Sequence, residues 1–407
     1  MKKYFFLISA VFYSILINAQ WQQTTGGFGI PIRSFAMKDS TIFAGGVCSA
    51  GSDMFVSSDN GNTWAIKHNG LPSGFTNVSS MIVNDTTVFA SLDMNGVYRT
   101  IDKGNNWSIV NIGLVGPYEC ITSLGIKDSI LFVGTCYGEI YRSIDNGNSW
   151  SNTGFSQSGN VNCIRTVGSK IFASVFGDGI FVSNDNGNNW SPINSGLLTL
   201  NISTLGANGS TIFSGGPYSN YGVYSSNNNG VSWNSASSGL PSNVGVSSFI
   251  SNGSTIFVAV QTSVYMSLNN GSSWINISNG LNSNYIYSLA IHGNYLYAGT
   301  NSGGPGTIWR RSLNEVVTAI NESDKAGGKI TVFPNPSDAQ ATLYSDQALE
   351  DATIQIYNSL GEQVKKIEKV NGKVITIKND ELSGGIYFLN IIQDNKIVST
   401  EKMIIKQ

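Results

Sequence analysis

Five carboxylates, Asp53, Asp93, Glu119, Glu139 and Asp178, recur at equivalent loop positions in the first half of this 407-residue chain. Two carboxylates on facing loops suffice to cleave a glycosidic bond, one protonating the leaving oxygen while the other activates water or attacks carbon. The same class of loop carries Tyr118, Tyr137, Phe155, Phe176, Tyr218, Tyr221, Tyr285 and Tyr287. Rings beside Asn and Asp on one concave face suit stacking on a sugar or contact with an extended peptide. No acidic residue occurs between Asp185 and Glu315, so the second half of that surface offers aromatic and amide groups with almost no charge. Asp93, Glu119, Glu139 and Asp178 are candidates by position alone, and no catalytic constellation stands out. Binding of a glycan or an extracellular protein is the function this pattern favours. The alternatives are a glycoside hydrolase acting on a neutral polysaccharide and a structural component of a surface assembly. The two histidines, His68 and His292, lie in different repeats, so neither a histidine-rich metal site nor a cofactor is expected.

The elements that position these loops announce themselves through tryptophan. Trp21, Trp64, Trp107, Trp150, Trp190, Trp233 and Trp274 are separated by 43, 43, 43, 40, 43 and 41 residues. That period is the length of one four-stranded propeller blade. A first strand of pattern apolar, variable, small polar, apolar begins at Ile32, Val78, Ile121, Val161, Ile202, Val246 and Ile286, which predicts seven blades. Its small third residue, Ser34, Ser80, Ser123, Cys163, Thr204, Ser248 or Ser288, reads as steric fit around a central channel. The last unit ends at Ile308-Trp309-Arg310-Arg311 without a fourth strand, and residues 21–28 match the missing one. The all-β expectation is therefore a ring closed by an N-terminal strand, with no free sheet edge.

Residues 1–19 read as a signal peptide, with Lys2 and Lys3 ahead of an apolar run from Tyr4 to Ile17 and Ala19 before Gln20. No later run is long enough for a transmembrane helix. Residues 20–313 carry 11 Lys+Arg and 12 Asp+Glu, and residues 314–407 carry 10 and 13, so charge density rises threefold near Asn314. That step marks a boundary, with a linker over 314–328 and a second domain over 329–407. Net charges of 11 − 12 = −1 and 10 − 13 = −3 give no basic patch, which argues against nucleic acid as a partner.

Ahead of six tryptophans lies a variant of Ser-x-Asp-x-Gly-x-Thr/Ser-Trp, in which Asp59, Asp102, Asp145, Asp185, Asn228 and Asn269 precede Trp64, Trp107, Trp150, Trp190, Trp233 and Trp274. A carboxylate or amide there can accept backbone N–H groups across a tight turn, and glycine permits positive φ. The motif resembles the Asp-box of sialidase-like (BNR-type) propellers, in which the box is structural and lies on the face opposite the ligand. That resemblance implies the seven-bladed fold and places the candidate loops on the ligand side. Sialidase chemistry would need three convergent arginines. Of Arg33, Arg99, Arg142, Arg165, Arg310 and Arg311, four sit beside the box turns or their counterpart, so that set is not assembled. Lacking acids at its later positions, the box is also a poor calcium loop.

Counting back from the Lys127-Asp128-Ser129 turn, with Ile126 facing Ile130, sets Cys120 against Cys136 as a candidate disulfide, and leaves Cys48 and Cys163 free. In the tail, short alternating strands at 329–333, 341–344, 352–357, 374–377, 386–392 and 397–406 suggest a small β-sandwich. Its Val332-Phe333-Pro334-Asn335-Pro336, Ile356-Tyr357-Asn358-Ser359-Leu360-Gly361 and closing Glu401-Lys402-Met403-Ile404-Ile405-Lys406 resemble the C-terminal sorting domain of type IX secretion cargo in Bacteroidetes. The resemblance implies that the type IX machinery is a partner through this domain, and that the protein passes the periplasm to be released or held at the outer surface.

Overall fold

The computed structural model describes residues 20–25, 29–48, 54–73, 76–114, 120–217, 221–242, 244–301, 308–318, 330–333, 335, 337, 340–358, 361–380, 382–394 and 396–405. Residues 1–19, where a signal peptide is expected, together with Asp53, Tyr118, Glu119 and Tyr218, lie outside them.

Nearly every described element is a strand. Residues 121–156 show the repeating unit, an antiparallel sheet of Ile121–Lys127, Ile130–Thr135, Glu139–Ser143 and Ser151–Ser156. Five sheets have this four-stranded form. An eight-stranded sheet holds the first two units together through Val47↔Asn77 and Cys48↔Thr76. In each unit the second strand is covered on both sides, so Thr87–Leu92 is buried throughout and reads as a continuous apolar run.

The hairpin register differs by one from the sequence expectation, since Lys127, not Ile126, pairs with Ile130. A bulge between Ile121 and Ser123 takes the residue back, so that the Cys136 N–H still donates to the Cys120 carbonyl at 3.0 Å. The same bulge opens the first strands at Ile32, Val78, Val161, Val246 and Ile286. By setting two residues against one, it brings the second and third positions of the strand to the neighbouring unit. Thr122 and Ser123 both donate to the Val161 carbonyl at 2.7 Å. Of the hydroxyls expected as mere steric fit, Ser123 and Ser288 thus donate between units while Ser80 and Ser248 accept from the Leu124 and Leu289 N–H groups of the next unit, and the second position contributes beside them. Asn162 donates to the Ile202 carbonyl (3.1 Å), Ser203 to Val246 (3.1 Å), Ser247 to Ile286 (2.6 Å) and Ser288 to Ile32 (3.1 Å).

Tryptophan supplies the second connection. Trp150 donates its indole N–H to the Val110 carbonyl (2.7 Å) and its backbone N–H to Ile112 (2.8 Å), both in the preceding unit. Trp107, Trp233, Trp274 and Trp21 repeat this pair of bonds on their own predecessors. Trp190 does not, and the shortened 40-residue gap before it explains why. The preceding unit lacks the Gly-Leu turn on which the others dock and runs on as Ser151–Ser156. Phe155 fills the space, 5.3 Å from the Trp190 ring and 5.2 Å from Phe181 between centroids.

At the chain start, Gln22 pairs with Arg310 and Gln23 with Trp309, so the first described residues lie in one sheet with the last unit. The segment from Asn314, where a linker is expected, starts within a helix. Leu313–Thr318 forms a short helix whose Leu313 and Val316 pack with buried Trp21. Apolar spacing of three residues outweighed the polar composition of the segment.

The turns before the tryptophans share one hydrogen-bond plan. Ser143 Oγ accepts from Gly147 N–H (2.8 Å) and donates to Asp145 Oδ1 (2.7 Å). Asp145 in turn accepts from the Ser149 amide (2.9 Å) and hydroxyl (2.6 Å). Asn146 and Gly147 adopt φ of 57° and 81°, the left-handed pair that the tight turn requires. Asn228 preserves the plan by donating to the Ser232 hydroxyl at 2.8 Å while its Oδ1 accepts the Ser232 N–H at 3.0 Å.

The Ser149 hydroxyl and amide hold Asp145 at about 2, below the ordinary 3.8. The equivalent bonds from Asn106 and Asn189 lower Asp102 and Asp185. At Asp59 partial desolvation acts upward and is outweighed by Thr63 and Ser57. Groups with lowered folded-state pKa stabilise fully above their unfolded value near 4, and that contribution is lost as pH falls toward 2. Replacing all four with Asn, the residue already used at positions 228 and 269, should flatten melting temperature against pH between 5 and 2. An unchanged slope would assign acid sensitivity to other groups.

In the tail, Gln340–Asn358 is one bent 19-residue strand where two short ones are expected, and Gln363–Lys378 pairs with it along its length. Register shifts at Leu349 and Ala352 permit the bend. Gly385–Gln393 and Lys396–Ile405 continue the sheet over a core of Leu343, Ile354, Ile356, Leu389 and Met403.

Candidate binding face

At the end of the sheets opposite the Asp145-type turns, each second strand exits beside the entry of the first. Backbone N–H groups of Asp93, Phe176 and Asn301 donate to the carbonyls of Asn77 (2.8 Å), Asn160 (3.0 Å) and Tyr285 (2.9 Å). Described candidates such as Asp93, Phe176 and Tyr285 lie at this end, and the structure gives the candidates different roles.

Asp178 is occupied as a loop brace. Its carboxylate accepts from the Ser158 N–H (3.1 Å), the Ser158 hydroxyl (3.0 Å) and the Gly159 N–H (3.2 Å). Glu139 accepts from the Tyr141 hydroxyl at 3.2 Å. Asp93 is half-buried beside Cys120. No pair of these three acids is brought together by a shared hydrogen bond among the described residues. Cys120 and Cys136 are joined as a disulfide with Cα atoms 5.7 Å apart, while Cys163 is free and half-buried.

Among the aromatics, Phe155 is a correction. It is buried against Trp190 and Phe181 and presents nothing to solvent, because it replaces the missing Gly-Leu turn of its unit. Tyr137 stands out on its hairpin at 51% exposure. Tyr221 accepts at its hydroxyl from the Asn201 amide at 3.2 Å. Tyr285 and Tyr287 lie with ring centroids 4.9 Å apart, and the exposed Arg33 sets its guanidinium 5.0 Å over the Tyr287 ring. Burial raises the Tyr285 hydroxyl, with Tyr287 adding to the shift and Arg33 opposing it. Sequence reasoning weighed Arg33 only as a member of an arginine set that is not assembled, and its pairing with Tyr287, 254 positions away, is seen only in the structure.

A depression of about 410 Å³ opens between Asn160, Asn162, Phe176, Ser203 and Pro217. Of these only Phe176 was expected. The polar residue at the strand's second position, Asn162 or Ser203, is the signal that could have found the others. Among the described residues no group of three His, Cys, Asp or Glu side chains could hold a metal ion, and no helix is long and apolar enough to cross a membrane.

Comparison with known proteins fits this picture at the level of fold. The chain is 26% identical over 117 residues to an endo-acting ulvan lyase of Formosa agariphila, a stretch that is 28% of this chain and 22% of that protein. It superposes on PorZ, an essential surface component of the type IX secretion system of Porphyromonas gingivalis, with a TM-score of 0.55 and 13% identity, over 92% of this chain and 59% of that one. The WD40 β-propeller domain of Doa1 superposes with a TM-score of 0.55 and 13% identity, over 72% of this chain and 96% of the domain. The four-stranded sheets are those of a β-propeller-like fold. Residues 331–406 match the secretion system C-terminal sorting domain, and this chain is accordingly cargo exported by type IX secretion to the cell surface or the medium.

Proposed function

We propose that the chain is an exported seven-bladed Asp-box propeller, spanning residues 20–313, whose face opposite the box turns binds a glycan or an extracellular protein. Residues 1–19 act as its signal peptide and 329–407 as its sorting domain. Pairing of Gln22 and Gln23 with the strand Ile308–Ser312 supports closure by the N-terminal strand. The observation that carries the binding reading is the depression lined by Asn160, Asn162, Phe176, Ser203 and Pro217, which sets one aromatic ring among uncharged polar groups. The bracing bonds on Asp178 favour binding over hydrolysis, since a carboxylate held by three donor groups is a poor proton carrier. The test is retention of the exported protein on immobilised polysaccharides, with new chain ends counted in the same samples.

A further inference from the structure

We infer that the depression between the units of Phe176 and Ser203 is a subsite for an uncharged pyranose ring. This rests on the binding face proposed above and names its ligand class.

The lining is free of charge, and residues 186–309, which supply Ser203 and Pro217, contain no Lys, Arg, Asp or Glu. The nearest carboxylate in sequence, Asp178, is directed at Ser158 and Gly159. An acidic or basic ligand would find no counter-charge among the lining residues.

Backbone donors are also taken. The N–H of Phe176 donates to Asn160, those of Gly177 and Gly179 to Leu200, that of Ser203 to Gly215 and that of Val246 to Gly216. An extended peptide, which binds by pairing its backbone with free backbone groups, finds these donors already engaged. What remains are side-chain groups suited to hydroxyls. Asn162 uses one amide hydrogen on the Ile202 carbonyl and keeps its oxygen as an acceptor. Ser203 donates toward Gly215 and Val246 and keeps its lone pairs. Asn160 is exposed and engages no other side chain among the described residues.

The ring platform is fixed in advance. Phe176 bridges to Asn201 on one side and Asn160 on the other. Gly159 lets it sit so close that a Cβ there would lie 1.7 Å from the Phe176 carbonyl oxygen. A half-buried ring held by backbone on both flanks, beside two carboxamides and a hydroxyl, suits the apolar face and the hydroxyl edge of one sugar.

Titration calorimetry of the exported protein with cello-, xylo-, manno- and laminarihexaose, and with hexagalacturonate, tests this. At least one neutral hexasaccharide should bind, and Phe176→Ala should weaken it tenfold or more. Asn160→Ala, which removes no side-chain bond among the described residues, should weaken it several-fold at an unchanged melting temperature. Neutral binding indifferent to Phe176 and Asn160 would overturn the subsite while leaving a glycan-binding propeller. Binding of hexagalacturonate alone, lost in Arg33→Ala, would move the site to the Arg33–Tyr287 seam. Failure of every neutral hexasaccharide would overturn the inference outright, and capture of a protein on the same face would then leave only the broader reading.

Discussion

A chain lacking residues 20–29 is expected to melt roughly 10 °C or more below the intact exported protein. Trp21 is 3% exposed, donates its indole N–H to Ile277 (2.8 Å) and its backbone N–H to Asn279 (3.0 Å), and packs with Leu296, Leu313 and Val316. Burying a tryptophan ring of ~150–250 Å² at ~25 cal/mol/Å² contributes about 4–6 kcal/mol gross, an upper bound. The deletion also strips Gln22 and Gln23 from Arg310 and Trp309, exposing the strand edge they cover. Each kcal/mol shifts the midpoint of a domain this large by about 2–4 °C, so the losses compound to the stated fall. Scanning calorimetry would show it, and an unchanged midpoint would mean that the N-terminal strand is dispensable to the fold.

Gly113→Ala should lower the midpoint by a similar amount through one methyl group. Gly113 has φ of 91°, and a Cβ there would lie 2.0 Å from the Trp150 carbonyl oxygen. Neither atom can yield, because the turn is held by Leu114 N–H donating to Asn111 (3.0 Å) and Trp150 is anchored at Val110 and Ile112. Relief requires withdrawing the tryptophan from its dock, which costs on the order of 3–5 kcal/mol by the scale of core disruption. Gly154→Ala is the control, since it shares a positive φ of 79° but has open space around it. A loss confined to Gly113→Ala identifies the dock; equal losses would reduce the effect to backbone strain.

Much of the fold was legible because the repeat obeys local rules. The left-handed turns before the tryptophans are fixed by chemistry within about ten residues. The five Gly-Leu pairs at 70, 113, 196, 239 and 280 carried the docking of the next tryptophan and went unread, although their glycines all take positive φ. Phe155 shows where pattern misled. An aromatic at a loop position reads as a ligand contact, yet the three-residue shortening of its repeat turned it inward as core. In the tail, alternation located the strands but not their fusion, since the register shifts around Leu349 and Ala352 move the buried positions from odd to even numbers within one strand.

The candidate site was less legible for a physical reason. Asn160, Asn162 and Ser203 are small polar residues whose meaning comes only from the unit beside them. Arg33 and Tyr287 meet across nearly the whole sequence. The loop acids read as catalytic because loops carry chemistry, and only the bonds to Ser158 and Gly159 show Asp178 as a brace.

Retention on immobilised polysaccharides with chain ends counted in the same samples bears most directly on the central claim. The account predicts retention on at least one polysaccharide or surface protein, no new reducing or unsaturated ends, and no change in either reading for an Asp178→Asn, Glu139→Gln double variant that keeps its fold. New chain ends from the intact protein that vanish in the double variant would contradict it, and would make those carboxylates the working groups of an enzyme.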